Sequence, residues 1–224
     1  MVGAFACAAL AAAPGCTQDE TMFFISRIVA PTKGCGFDGS VDGAAVGLTW
    51  GMLDWSCKQE YNANIVIANA LQRNESAESR RTEARRIQIE AIEVTAMLPS
   101  GAVVAAYDLP ATSIIEPGDA RSAGLGLVSV PLLPYGRSEF RAGPGAGVQQ
   151  INFELRARGH TLSGVSVVSP PFVYPVRIGM GILYSQADGG TAVATCPGQD
   201  SYYLAREACP NRTPIVLPGG AVID

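Results

Sequence analysis

Residues 148–159, VQQINFELRARG, set Ile151, Phe153, Leu155 and Ala157 against Gln150, Asn152, Glu154 and Arg156 with a strict period of two. Only an extended strand sends successive side chains to opposite faces, so this segment reads as a strand with one wet face and one buried face. A second alternation breaks phase midway: Ile87 and Ile89 fall on one parity, and Ile92, Val94, Ala96 and Leu98 on the other. One extra residue near Ala91, a β-bulge, would keep both sets facing the same interior.

The rest of the chain punctuates short apolar runs with 25 Gly and 15 Pro, which suits many turns and short strands. Strands are expected at 23–30, 44–53 and 61–71, and again at 102–109, where Leu109-Pro110 should close the strand. A further strand is expected at 125–133, pushed to a sheet edge by Pro131, which has no N–H to give a ladder. Residues 160–164, HTLSG, read as a tight connection into a last strand over 165–178. Gly179 onward suggests a hairpin about Ala187-Asp188-Gly189-Gly190, then a loop to Cys209 and an extended tail from Pro210 to Asp224.

Composition narrows function before any motif does. At 48% hydrophobic and 16% charged, the chain has enough apolar residues for a packed core. A net charge of −4 supplies no positive field for nucleic acid, and this mild acidity argues against a purely electrostatic hold on an anionic bilayer, which needs clustered basic residues near the surface.

Residues 148–178 resemble the hairpin found late in immunoglobulin-like and fibronectin-like sandwiches. The likeness implies an all-β fold, an antiparallel immunoglobulin-like β-sandwich over 23–178, with 179–224 as a small appendage carrying a hairpin and a disulfide. The amino terminus has a separate character. Residues 1–15 are uncharged and apolar, too short to span a bilayer as a helix, and give way at Cys16 to a polar lead through residue 22. Ala13-Pro14-Gly15-Cys16 resembles the lipobox of bacterial lipoproteins, where the Cys is lipidated and becomes the new amino terminus. That resemblance implies export, a membrane anchor through Cys16 and, with Thr17 following the Cys, the outer membrane.

Removing Cys7 with the leader and Cys16 to lipid leaves Cys35, Cys57, Cys196 and Cys209. Three connectivities are open to four cysteines; the local pairs Cys35–Cys57 and Cys196–Cys209 are preferred, each stabilising by about 2–4 kcal/mol in an oxidising compartment.

Motifs that carry chemistry are sparse. His160, the only histidine, sits in the expected turn with Ser163 nearby and no orienting group in the local sequence, so it reads as a solvated turn residue. Gly143-Pro144-Gly145-Ala146-Gly147 lacks the Lys and Ser/Thr of a phosphate cradle, and no cofactor is expected. Asp38-Gly39-Ser40-Val41-Asp42-Gly43 resembles half a calcium loop, but Thr49 stands where the bidentate Glu belongs. Arg80, Arg81, Arg85 and Arg86 can present guanidinium groups to an acidic glycan, a lipid head group or a partner protein, although Glu75, Glu78 and Glu83 are interspersed.

Two functions follow as expectations. One is a non-enzymatic envelope lipoprotein displaying its sandwich to a protein or glycan partner. The other is a secreted or periplasmic carbohydrate-active protein, either a hydrolase or a binding module with an aromatic platform drawn from Trp50, Trp55, Tyr202 or Tyr203.

Overall fold

The structure is a computed structural model that describes residues 22–31, 47–73, 83–140, 147–183, 199–200, 215–216 and 222–223. These residues are organised almost entirely as strands in two main sheets. The first sheet has the order β2-β1-β4-β7, from β1 (Phe23–Val29), β2 (Gly47–Leu48), β4 (Tyr61–Asn69) and β7 (Gly124–Leu133). The second runs β3-β10-β8-β5-β6, from β3 (Gly51–Asp54), β5 (Ile87–Met97), β6 (Val103–Ile115), β8 (Gln149–Thr161) and β10 (Phe172–Gly179). The short β9 (Ser166–Val168) adds to β8 beyond the end of β10.

The alternations translate directly into burial. Along β8, Ile151, Phe153, Leu155 and Ala157 are buried, and their alternates are half-exposed. In β5 the register slips between Ile89 and Ala91 against both neighbours, so Ile87 and Ile89 face the same interior as Ile92, Val94 and Ala96. Gly159 lies opposite this slip, where a Cβ would come within 2.2 Å of the Gln88 carbonyl oxygen. A similar slip between Ile25 and Arg27 moves burial in β1 from Phe23 and Ile25 to Ile28. One apolar cluster drawn from both sheets fills the space between them, with Tyr61, Tyr174 and Phe153 among its largest fully buried members. Each large side chain so buried contributes about 1.5–3 kcal/mol.

Four expectations need correction. The single strand expected at 44–53 is split: β2 pairs with β1, while β3 belongs to the other sheet. The chain changes sheets at Thr49-Trp50, and β3 then lies parallel to β10, so the second sheet is mixed rather than wholly antiparallel. Pro110 does not end its strand, because β6 is a sheet edge and an extra β6 residue is accommodated beside Pro110 between the Ile89–Ser113 and Ala91–Pro110 pairs. His160 is a strand residue paired with Gln88 and Ser166; the reversal comes after it, with Gly164 at φ 87°. Within the expected extended tail, β11 (Ile215–Val216) and β12 (Val222–Ile223) pair with each other as an antiparallel ladder. Pro131 lies on β7, an edge strand, as its missing N–H requires. The expected hairpin turn at 187–190 lies outside the described residues.

Candidate functional site

Three constellations of polar side chains stand out. The first is sealed. Asp54, at the end of β3, is fully buried and accepts hydrogen bonds from the Ser56 hydroxyl at 2.6 Å and from the backbone N–H groups of Ser56 at 3.1 Å, Gly181 at 2.9 Å and Leu183 at 3.2 Å. Beside it, Tyr61 donates to the Asp200 carboxylate at 2.7 Å, and the Tyr61 and Tyr174 hydroxyls are 2.8 Å apart. The other Asp200 oxygen accepts from Met52 N–H at 2.7 Å, while Asp200 N–H returns a bond to the Met52 carbonyl at 3.0 Å. Gln199 accepts from Asn62 N–H at 3.0 Å and from Lys58 Nζ at 3.3 Å, and donates to the Asn62 carbonyl.

This cluster ties Gln199 and Asp200 across the ends of β3 and β4. Burial lifts the Asp200 carboxyl above the ordinary carboxylate range against the opposing pull of Met52 N–H and the Tyr61 hydroxyl. Burial likewise pushes the Tyr61 phenol well above its usual value and draws the Lys58 ammonium below its own. Groups bonded to one another in this way hold chain segments together.

The second constellation is the outward face of the larger sheet. Trp50 is 41% exposed, and the Arg177 guanidinium lies over its ring at 4.9 Å from the centroid. Arg177 is opposite Gln150 across the β10–β8 ladder, and Gln150 donates to Asn152 at 2.8 Å. Farther along the face, Arg158 bridges Glu93 at 3.4 Å and Asp108 at 3.1 Å, joining β5, β8 and β6. His160 Nδ1 lies 2.9 Å from Glu90 on this surface. Ser163, the nearby hydroxyl in sequence, is bonded instead to Thr161 Oγ1 at 2.8 Å.

The third is an open cleft of about 530 Å³ between the start of β1, the end of β4 and the β8–β9 turn. Its walls include Phe23, Leu71, Val165, Val167 and Val168, and Arg85 stands at its margin. Asn69, fully buried at the end of β4, donates to the Arg85 carbonyl at 2.9 Å and accepts from Leu71 N–H at 3.1 Å.

The structure separates the basic residues singled out in the sequence. Arg86 is held by Glu116 at 2.8 Å, Arg85 turns to the cleft, and Arg80 and Arg81 lie outside the described residues. Cys57 is disulfide-bonded and packs on Leu183; Cys16, Cys35, Cys196 and Cys209 lie outside the described residues, as do the 38–43 loop, Tyr202 and Tyr203. Trp55 is partly buried against the core. Sequence reasoning missed Asp54, Gln199 and Asp200, because their partners come from as far as 148 residues away. Asn69 gave a signal: an amide in the apolar run 61–71, on the same parity as Ile65 and Ile67.

The chain matches no protein-family model and no curated protein.

Proposed function

We propose that this chain is a non-enzymatic envelope lipoprotein, anchored to the outer membrane through lipid at Cys16, whose immunoglobulin-like sandwich presents the outer face of its larger sheet to an envelope protein or glycan. The observation that carries the reading is the exposed Trp50–Arg177 pair beside Gln150 and Asn152, with Arg177, Gln150 and Asn152 on the paired strands β10 and β8 and Trp50 at the bend before β3. Trp and Arg are the residue types that dominate binding surfaces, and polar residues held on paired strands lose little freedom on docking.

The immunoglobulin-like assignment draws support from the strand division. β1, β4 and β7 share one sheet, and β6, β5, β8 and β10 share the other, as strands A, B and E separate from C′, C, F and G in such sandwiches. The disulfide at Cys57 fits an oxidising compartment, and the preferred partner remains Cys35, with Cys196 and Cys209 as the second pair. A binding role is favoured over hydrolysis because His160 faces Glu90 on an exposed sheet face, and the sequence-adjacent Ser163 hydroxyl is directed to Thr161. The carbohydrate-active alternative draws on the same Trp50 ring, which can stack on a sugar face.

Mass spectrometry of the mature protein from its native host, with a Cys16→Ser variant fractionated in parallel, tests this reading. We expect an acylated Cys16 in the membrane fraction and release of the variant into the soluble fraction. An unmodified Cys16 behind an intact leader contradicts it.

A further inference from the structure

The cleft at the Asn69 end is bounded by both sheets, and apolar side chains share its walls with the hydroxyl residues Thr161, Ser163 and Ser166. Val165 is 41% exposed and Val167, on the same parity, is half-buried, so apolar surface lines an opening to solvent. Its volume, about 530 Å³, falls within the roughly 300–1,000 Å³ typical of small-molecule sites. The rim is laced in place. Leu162 N–H donates to the Arg86 carbonyl at 2.9 Å and Ser163 N–H to the Ala84 carbonyl at 3.3 Å, fixing the β8–β9 turn against the segment that carries Arg85. The Arg85 backbone is held in turn by Asn69 and by the Glu83 carboxylate, which accepts its N–H at 3.2 Å.

Charge decides what such a cleft takes. Arg86 is neutralised by Glu116, whereas Arg85 forms no ion pair among the described residues; its Nη1 donates to the Gln72 carbonyl, and the side chain is otherwise exposed at the margin. Apolar wall residues ending at a guanidinium that has no ion pair among the described residues complement a molecule with an apolar tail and one anionic head. An added peptide strand fits less well. The free edge beyond β9 continues into Pro170, Pro171 and Pro175, which carry no N–H to pair with an incoming strand.

We infer that this cleft binds a fatty-acid-like monocarboxylate, its chain against Val165 and Val167 and its carboxylate on Arg85. The inference does not depend on the outer sheet face or on the anchor at Cys16.

Calorimetric titration of the full chain with decanoate and with decan-1-ol, alongside methyl NMR, tests it. Decanoate is expected to bind more tightly than the alcohol and to shift the methyl signals of Val165 and Val167. Arg85→Gln should weaken decanoate about fivefold while leaving the alcohol unchanged, the size of one partly exposed charge contact. Val165→Asp, at an exposed position that folding tolerates, should abolish decanoate binding. Trp50→Ala should leave it unaltered, which separates this site from the outer face. Equal affinity for acid and alcohol, an undiminished Arg85→Gln, or decanoate shifts confined to other methyls would overturn the inference.

Discussion

At its Tyr61 end β4 enters a sealed polar cluster, where Tyr61, Tyr174, Asp200 and Asp54 are bonded to one another or to backbone groups, whereas at its Asn69 end it stops beside an open cleft with a charged rim. Both ends bury a polar residue of the same strand. At the first, hydrogen bonds close on themselves and fasten residues 199–200 to β3 and β4. At the second, the buried Asn69 holds in place an arginine whose own charge is unmatched among the described residues. The difference separates two uses of buried polarity: satisfied groups hold the fold together, while a positioned but unpaired group is available to a ligand.

The largest effect should come from Asp54→Ala. Its removal leaves the Gly181, Leu183 and Ser56 donors facing a void, at a cost of about 3–5 kcal/mol in urea unfolding. A loss below about 1 kcal/mol would mean that the sealed end is not what fastens the fold.

Gly51→Ala probes the same end sterically. A Cβ there would meet the Tyr61 hydroxyl at 2.2 Å, and Tyr61 cannot yield without losing its bonds to both Tyr174 and Asp200. The expected cost is about 1–3 kcal/mol, read by thermal or urea unfolding.

Acidity sharpens the comparison more gently. The folded carboxyl of Asp200 is raised above its ordinary value of 3.8, mainly by burial. Its stabilising contribution is therefore fully present below the unfolded value and is lost as pH rises through the folded one. Against Asp200→Asn, which does not titrate, the wild type should be relatively more stable at low pH and lose that advantage as pH rises. Unfolding free energies of both proteins across this range provide the check, and a pH-independent difference would remove the assigned cause.

The smallest effect belongs to His160→Ala. The His160–Glu90 contact is exposed on the sheet face, so stability should change by less than about 0.5 kcal/mol. Ligand affinity at the cleft should not change, because His160 does not line it. Urea unfolding and decanoate titration of the variant check the two expectations.

Much of the architecture was legible where a single physical rule governs a segment. The period of two in β8, the phase change in β5 and the edge preference of Pro131 each follow from which way a side chain points or which N–H is missing. The misreadings arose where partners decide. Pro110 reads as a stop unless the strand is known to be an edge, and 44–53 reads as one strand unless the change of sheet at Thr49-Trp50 is known. The parallel pairing of β3 with β10 joins segments more than 120 residues apart, so no local pattern encodes it. Of the sites, the arginine cluster was visible as composition, but its division into an Arg86 paired with Glu116 and an Arg85 with no ion pair among the described residues required Glu116 and Asn69 to be placed in space.

The most direct test is amide hydrogen exchange, residue by residue, with and without decanoate. The account predicts slowed exchange across the β8–β9 turn and β9, from Leu162 to Val168, with Met52, Asn62 and Asp200 unchanged. Ligand protection at those three amides and none at the turn would contradict it, reversing the roles assigned to the two ends.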